Sequence, residues 1–266
     1  MTTRKNQVPI ILFILLLIFM VATPRQNILH TDIANAFAES SAAHWLGTDN
    51  LGRDVYSLIV EGGFRTLFVV GISGLISFTA GSFLGMAEAF LGKSLRVCIQ
   101  FFADISLIVP TFVMAMIFSA LFGFHPVVAG ILFGIGNIGD YINQAYDLSE
   151  SVCSREFIYA EKVVGLNNIQ IMFGHVLPNI YRQLFVFAGN KSGNVIAQYS
   201  GLAFIGLGCD VTNPDWGTLL YQYRVYVTTC PRLILYPTLA IAVFILLLHF
   251  IFDVGVQKEE EKTIYD

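Results

Sequence analysis

Residues 66–90 read TLFVVGISGLISFTAGSFLGMAEAF, a stretch of twenty-five residues in which Glu88 is the only charge. A helix rising 1.5 Å per residue needs roughly 20 apolar residues to cross the ~30 Å of bilayer hydrocarbon, so this stretch is long enough to span. Five more apolar runs lie at 9–22, 97–123, 126–145, 184–207 and 233–254. The composition agrees: of 266 residues, 55% are hydrophobic and 13% charged, about half the charged share of an ordinary soluble domain. Mean hydropathy is +0.67. The expected fold is therefore all-α, a polytopic membrane protein with about six transmembrane helices rather than a soluble enzyme. A net charge of −4 gives no sign of a nucleic-acid partner.

Two runs are less regular. The first, preceded by Arg4 and Lys5, also has the outline of a signal peptide ending near Ala22; cleavage there would leave five spans. The fourth is broken by Gly134, Gly136, Asn137, Gly139 and Asp140, a polarity that packing against other helices would make tolerable. Basic residues in the connections set the direction. With the N-terminus inside, Arg4, Lys5, Lys93, Arg96, Arg155, Lys162, Arg182, Lys258 and Lys262 are cytoplasmic. Arg25, Arg53, Arg65, Arg224 and Arg232 are then outside. The balance favours both termini in the cytoplasm. The chain divides into a first helix with an extracytoplasmic segment (1–65), a transmembrane unit (66–254) with a long internal loop at about 149–183, and a cytoplasmic tail (255–266).

Motifs of soluble chemistry are missing or misplaced. Residues 87–94, AEAFLGKS, fit a relaxed phosphate-binding pattern, but that chemistry needs a strand before the loop. Here a membrane run precedes it, so Lys93 and Arg96 read as interfacial anchors. Cys98, Cys153, Cys209 and Cys230 make no CxxC pair; Cys209 and Cys230 share a side and have the option of pairing, yet four free thiols is the simpler reading. His30, His44, His125, His175 and His249 are scattered, so no metal site is expected. No nucleophile–base pattern points to an enzyme.

The internal loop carries SREFIYAEKVVGLNNIQIMFGHVLPNIYRQ at 154–183. Ser154 is a candidate N-cap for a helix running to about Val164, with Phe157, Ala160, Val163 and Val164 on one apolar face. Gly165 permits a left-handed C-cap, and Asn167 or Asn168 can cap a second short helix ending before Pro178. The pattern alone suits two roles equally: a helix pair lying on lipid headgroups, or a surface that docks a partner.

With these residues in view, the sequence resembles the permease subunits of ABC importers. Their cytoplasmic loop carries E-A-A-x-x-x-G followed by Leu-Pro. The matching positions are Tyr159, Ala160, Glu161 and Gly165, then Leu177 and Pro178, with Tyr159 and Glu161 departing from the family's Glu and Ala. Residues 44–57, HWLGTDNLGRDVYS, are similar to the L-G-T-D-x-L-G-R-D segment of the dipeptide, oligopeptide and nickel branch, with Trp45 where Pro is usual. Residues 202–217, LAFIGLGCDVTNPDWG, resemble that branch's L-S-F-L-G-L-G and P-x-W-G. Locally, Gly47 and Gly52 allow tight turns and Asp49 and Asp54 can cap, so a structural role for 44–57 is favoured over substrate contact.

The resemblance implies a retained first helix and a loop at 154–178 that couples to a separate ATPase. It also implies a second permease subunit, two ATP-binding subunits and an extracytoplasmic binding protein, in a bacterial cell membrane. This chain would bind no cofactor of its own; ATP and Mg would sit on the partner ATPase. The mechanism implied is alternating access, with peptides, nickel or metal–chelate complexes as cargo.

Span five adds a residue-level expectation. Asn190, Asn194 and Gln198 fall at steps of four, with Lys191 beside them. This stripe is expected to line the translocation path, Lys191 favouring carboxylate-bearing cargo. Packing against a partner permease, or a Lys191 that snorkels to the interface, accounts for it equally well. Glu88, Asp104 and Asp140, in or near spans, raise the alternative of a proton-coupled secondary transporter. Such transporters often repeat their halves within one chain, and no internal repeat is visible here.

Overall fold

The computed structural model describes residues 8–208 and 210–253. Among them the fold is all-α, with one isolated bridge, Thr48 to Asp54, as its β-type pairing. Helix α1 is Val8–Ala22. A capping segment with a single 3-10 turn leads into α2, Val55–Glu88. Then follow α3 (Lys93–Ile108), α4 (Thr111–Phe122), α5 (Pro126–Gly136) and α6 (Ile138–Cys153). The loop region holds α7 (Glu156–Val164) and α8 (Asn168–Ile171), and α9 is Leu177–Phe204. The chain closes with α10 (Trp216–Tyr223) and α11 (Arg232–Asp253). The expected tail at 255–266, and Arg4, Lys5 and Cys209, lie outside the described residues.

By length and composition, Val55–Glu88 and Arg232–Phe252 qualify as membrane spans, and the α3–α4 pair, bent by 80°, qualifies as a third when its two helices are taken as one broken span. The remaining expected crossings are shorter or more polar. α1 contributes 15 residues, α5 and α6 divide at Asn137, and α9 carries Asn190, Lys191, Asn194 and Gln198. All are built into one bundle. α1 packs on α11 through Phe13 and Phe244, whose rings lie 5.9 Å apart, and α9 packs against α11, α10, α2 and α6.

Element boundaries follow local chemistry. α2 begins eleven residues before Thr66 because the Asp54 carboxylate caps it, accepting from the Ser57 N–H at 2.8 Å. The boundary drawn at 65–66 thus falls inside a helix. α3 stops at Val109 because Pro110 lacks an N–H and disfavours helical geometry before it. α9 begins at Leu177, well before residue 184. Pro178 does not end the short helix before it, contrary to the sequence reading. A π-helical turn at Met172–Val176 carries the chain through, and Pro178 sits in the first turn of α9, where its missing donor is harmless.

Three Gly-x-x-x-Gly pairs set the helix contacts. A Cβ on Gly81 or Gly85 of α2 would meet α6 at Tyr141 Cβ (2.5 Å) or the Ile142 carbonyl (2.2 Å). Gly130 and Gly134 of α5 face Ile72 and Ile76 of α2, and Gly189 and Gly193 of α9 face Phe252 and Ile245 of α11. In lipid, where apolar surface gains little by leaving its solvent, such close backbone approach is what drives association. The glycine-broken fourth run is likewise a packing site: a Cβ on Gly136 would strike Thr111, and one on Gly139 would strike Ser106.

Candidate functional site

The 154–183 loop is held by local hydrogen bonds. Gly165 has φ +99° and closes α7 in a Schellman motif: the Leu166 N–H reaches the Glu161 carbonyl and the Gly165 N–H reaches that of Lys162, each at 3.1 Å. A capping box starts α8, the Gln170 N–H donating to Asn167 Oδ1 at 2.8 Å and the Asn167 N–H to Gln170 Oε1 at 2.9 Å. Ser154 does not cap α7; it ends α6, with Oγ donating to the Ser151 carbonyl, and Arg155 takes the N-cap position without a side-chain bond.

One buried residue anchors this turn to the bundle. Ile158 is fully buried among Val152, Ile171, Met172, Val176 and Ile180. The opposite face is open: Tyr159, Val163 and Val164 are 76%, 79% and 78% exposed, with Ile169 beside them at 67%. Ala160 is exposed as well, Glu161 is half-buried facing His175 at 3.8 Å, and Leu177 and Pro178 lie at the start of α9. The apolar set read from the sequence is therefore the outward face, and the anchor is the residue that pattern left out.

Beside the loop, Glu88 at the end of α2 is buried. It accepts two hydrogen bonds from Gln100 Nε2, at 2.8 and 3.0 Å, and lies 3.7 Å from Arg96 Nε. Arg96 also covers the Tyr146 ring and approaches Glu150. The residues 87–94 join α2 to α3, helix to helix, as expected of a connection rather than a phosphate cradle.

In α9, Lys191 is paired. Its Nζ donates to Asp140 Oδ2 of α6 at 2.6 Å and lies 5.4 Å from the centre of the Phe187 ring. Lys191 is fourteen residues from Leu177 and thirteen from Phe204, so it occupies the middle of α9, about 20 Å from either end at 1.5 Å per residue. Within the apolar run at 184–207 it stands seven residues from the start, and its pairing with Asp140 gives the ammonium a partner inside the bundle. Asn194 and Gln198 are exposed, while Asn190 is half-buried with Oδ1 lacking a hydrogen-bond partner among the described residues. Behind the ion pair Ser73, Ser77, Asn137, Tyr141 and Ser192 close in among Val70, Gly74 and Val195, leaving no space for a water molecule. The proton-coupled alternative is not favoured: Asp140 and Glu88 are engaged in ion pairs and hydrogen bonds, and Asp104 lies on the exposed side of α3.

At the far end the segment 44–57 is scaffold. Asp49 and Arg53 form a buried pair, Arg53 Nη2 to Asp49 Oδ2 at 2.7 Å. Asp49 Oδ1 also accepts from the Leu51 and Arg53 N–H groups. Arg53 reaches across the chain to the Val211 carbonyl and to Gln222 Oε1, each at 2.9 Å. Gly52 is required by contact as well as by its φ of +72°, since a Cβ there would lie 1.8 Å from the Asp32 carbonyl. Asp215 caps α10, accepting from the Thr218 N–H and the Tyr199 hydroxyl, both at 2.8 Å; burial pushes its carboxyl above the ordinary range. Next to it a cleft of about 450 Å³ is lined by Arg65, Phe68, Phe124, His125, Tyr199 and Asp210.

The molecule is thus a bundle of helices joined at glycine seams, with an exposed apolar turn at one end and a hydrogen-bonded cap at the other. Residues 77–258 match the family of binding-protein-dependent transport system inner membrane components, and the chain belongs to it. It is an ABC importer permease of the dipeptide, oligopeptide and nickel branch. It is 30% identical to the dipeptide transport system permease protein of Alkalihalophilus pseudofirmus over 94% of this chain and 84% of that one. It is 32% identical to the probable D,D-dipeptide transport system permease protein of Escherichia coli, over 85% and 76%. The nickel transport system permease protein of Escherichia coli is 24% identical over 84% and 80%.

Proposed function

We propose that this chain forms half of the translocation path of an ATP-driven importer of small peptides. A second permease completes the path, two ATP-binding subunits dock on the loop end, and an extracytoplasmic binding protein delivers cargo to the cap end. In this reading the loop end and both termini face the cytoplasm of a bacterial cell. ATP and Mg sit on the ATPase, and alternating access moves the cargo. The peptide assignment draws on the relatives named for dipeptide transport, one of which matches nearly the whole chain. Nickel or its complexes are the second reading, from the relative named for nickel.

The observation that carries the proposal is the exposed face of Tyr159, Val163, Val164 and Ile169 on a turn locked by a Schellman motif and a capping box. On the reading that this end faces the cytoplasm, exposed apolar side chains on a hydrogen-bonded turn suit a docking partner more than a free surface. Tyr159, Ala160, Glu161, Gly165, Leu177 and Pro178 belong to that coupling region. Asn190, Lys191, Asn194 and Gln198 line the path on the same reading. The test is Val163→Asp with Val164→Asp. Because both side chains are nearly free of the bundle, the permease should insert and purify normally. The ATPase should no longer co-purify, and ATP-driven uptake should fall at least about tenfold. Full retention of both properties would overturn the docking assignment.

A further inference from the structure

The Lys191–Asp140 pair is placed where an ion pair is hard to justify by stability. It sits midway along α9, and both heads remain partly open, 22% and 28% exposed. Charges within an apolar run are costly and generally face a cavity or a pathway. Replacing an internal ion pair by apolar residues of similar size is often neutral or stabilising, so packing alone gives no reason to keep it. Nor is α9 short of apolar contact with its neighbours, since Gly189 and Gly193 already seat it against α11. The pair lies away from that seam, on the side where Asn194, Gln198 and Gly201 are exposed in succession.

Two opposite charges side by side make a specific chemical demand on anything that separates them. A ligand with one charge leaves the other protein charge unpaired in a low-dielectric setting, which is strongly unfavourable. A ligand carrying both an ammonium and a carboxylate exchanges one internal pair for two intermolecular pairs, and no charge is stranded. The stem of Lys191 has four rotatable carbons, so its ammonium can leave Asp140 without a shift of α6 or α9. We infer that Lys191 and Asp140 form a relay station for zwitterionic cargo, Lys191 taking the carboxylate and Asp140 the ammonium of a peptide with free ends. The inference rests on the reading that this face of α9 lines a peptide path. It differs from a lone-lysine site, which would favour any carboxylate.

The test uses the complete importer in liposomes, with Cys98, Cys153, Cys209 and Cys230 replaced by Ser and Asn194→Cys as a reporter one turn from Lys191. Labelling by a water-soluble methanethiosulfonate is followed with alanyl-alanine, its N-acetyl derivative or its amide present. The free dipeptide should slow labelling about tenfold, as expected for two charge-assisted contacts, and either blocked form should do so far less. Lys191→Met with Asp140→Leu should abolish that difference, and the exchange Lys191→Asp with Asp140→Lys should restore it. Equal protection by free and blocked peptides, or a preference that survives the apolar double variant, would overturn the station. So would a reporter that no nucleotide condition makes reactive, which would remove this face of α9 from the path as well. Uptake of alanyl-alanine by the native importer is read separately. Uptake without selective protection sinks the station alone, and no uptake of any di- or tripeptide sinks the peptide assignment.

Discussion

Arg53 shows what one side chain can hold together. Its guanidinium is 2% exposed and joins Asp49, the Val211 carbonyl and Gln222, which belong to segments more than 150 residues apart in sequence. Its planar fork serves three acceptors at once, which a lysine cannot match. Arg53→Met would leave Asp49 buried and charged without its cation, at a cost of about 3–5 kcal/mol. The expected result is a large drop in thermal unfolding temperature of the purified importer, with part of it regained in Asp49→Asn/Arg53→Met, which removes the stranded charge and keeps an acceptor for the Leu51 and Arg53 N–H groups. Gly52→Ala should also destabilise, because the added methyl collides with the Asp32 backbone rather than with a flexible side chain. The turn and capping roles of Gly47, Gly52 and Asp54 were legible from residue type. The reach of Arg53 to α10 was not, since nothing local marks its partners.

At the scale of elements, the loop helices separate hydrogen-bond chemistry from packing. Asn167→Ala removes the side-chain half of the capping box, the acceptor of the Gln170 N–H, and should cost the α8 turn about 1 kcal/mol. The measurement is amide exchange, which should speed up over residues 168–171 and not in α7. Gly165 has open space around its missing Cβ, so its requirement is conformational: Gly165→Ala should cost roughly 1 kcal/mol from the left-handed backbone alone. The end of α7 and the start of α8 could be read in advance because they rest on residues within five positions of one another. The helix at 168–171 runs on into α9 because a π turn absorbs Pro178, and sequence periodicity gives no sign of that. The outward direction of the Val163–Val164 face was equally hidden, because it depends on Ile158 finding its pocket in the bundle.

For the whole molecule, the decisive contacts are between backbones. α2 lies against α6 because Gly81 and Gly85 let it, and Gly85→Val would push a side chain into the Ile142 carbonyl. The expected outcome is a protein that still inserts, since its apolar lengths are unchanged, but elutes as aggregate in detergent on size-exclusion chromatography. Gly71→Ala is the control: nothing lies within 4 Å of its missing Cβ, so it should elute as the native protein does. The bent α3–α4 pair forms one edge of the bundle with Phe101, Phe102, Ile117 and Leu121 exposed, a surface suited to lipid or to the second permease.

The sequence by itself determined the all-helical membrane character, the approximate spans, the break near Asn137, and the turn at Gly165. Each depends on hydropathy or on hydrogen bonds between near neighbours, which a linear reading contains. Tertiary structure alone decided that Lys191 meets Asp140, fifty-one residues away. It also decided which face of α7 points outward. Those outcomes follow from which glycine seams close on which helices, and that fit between distant surfaces is set only when the bundle packs.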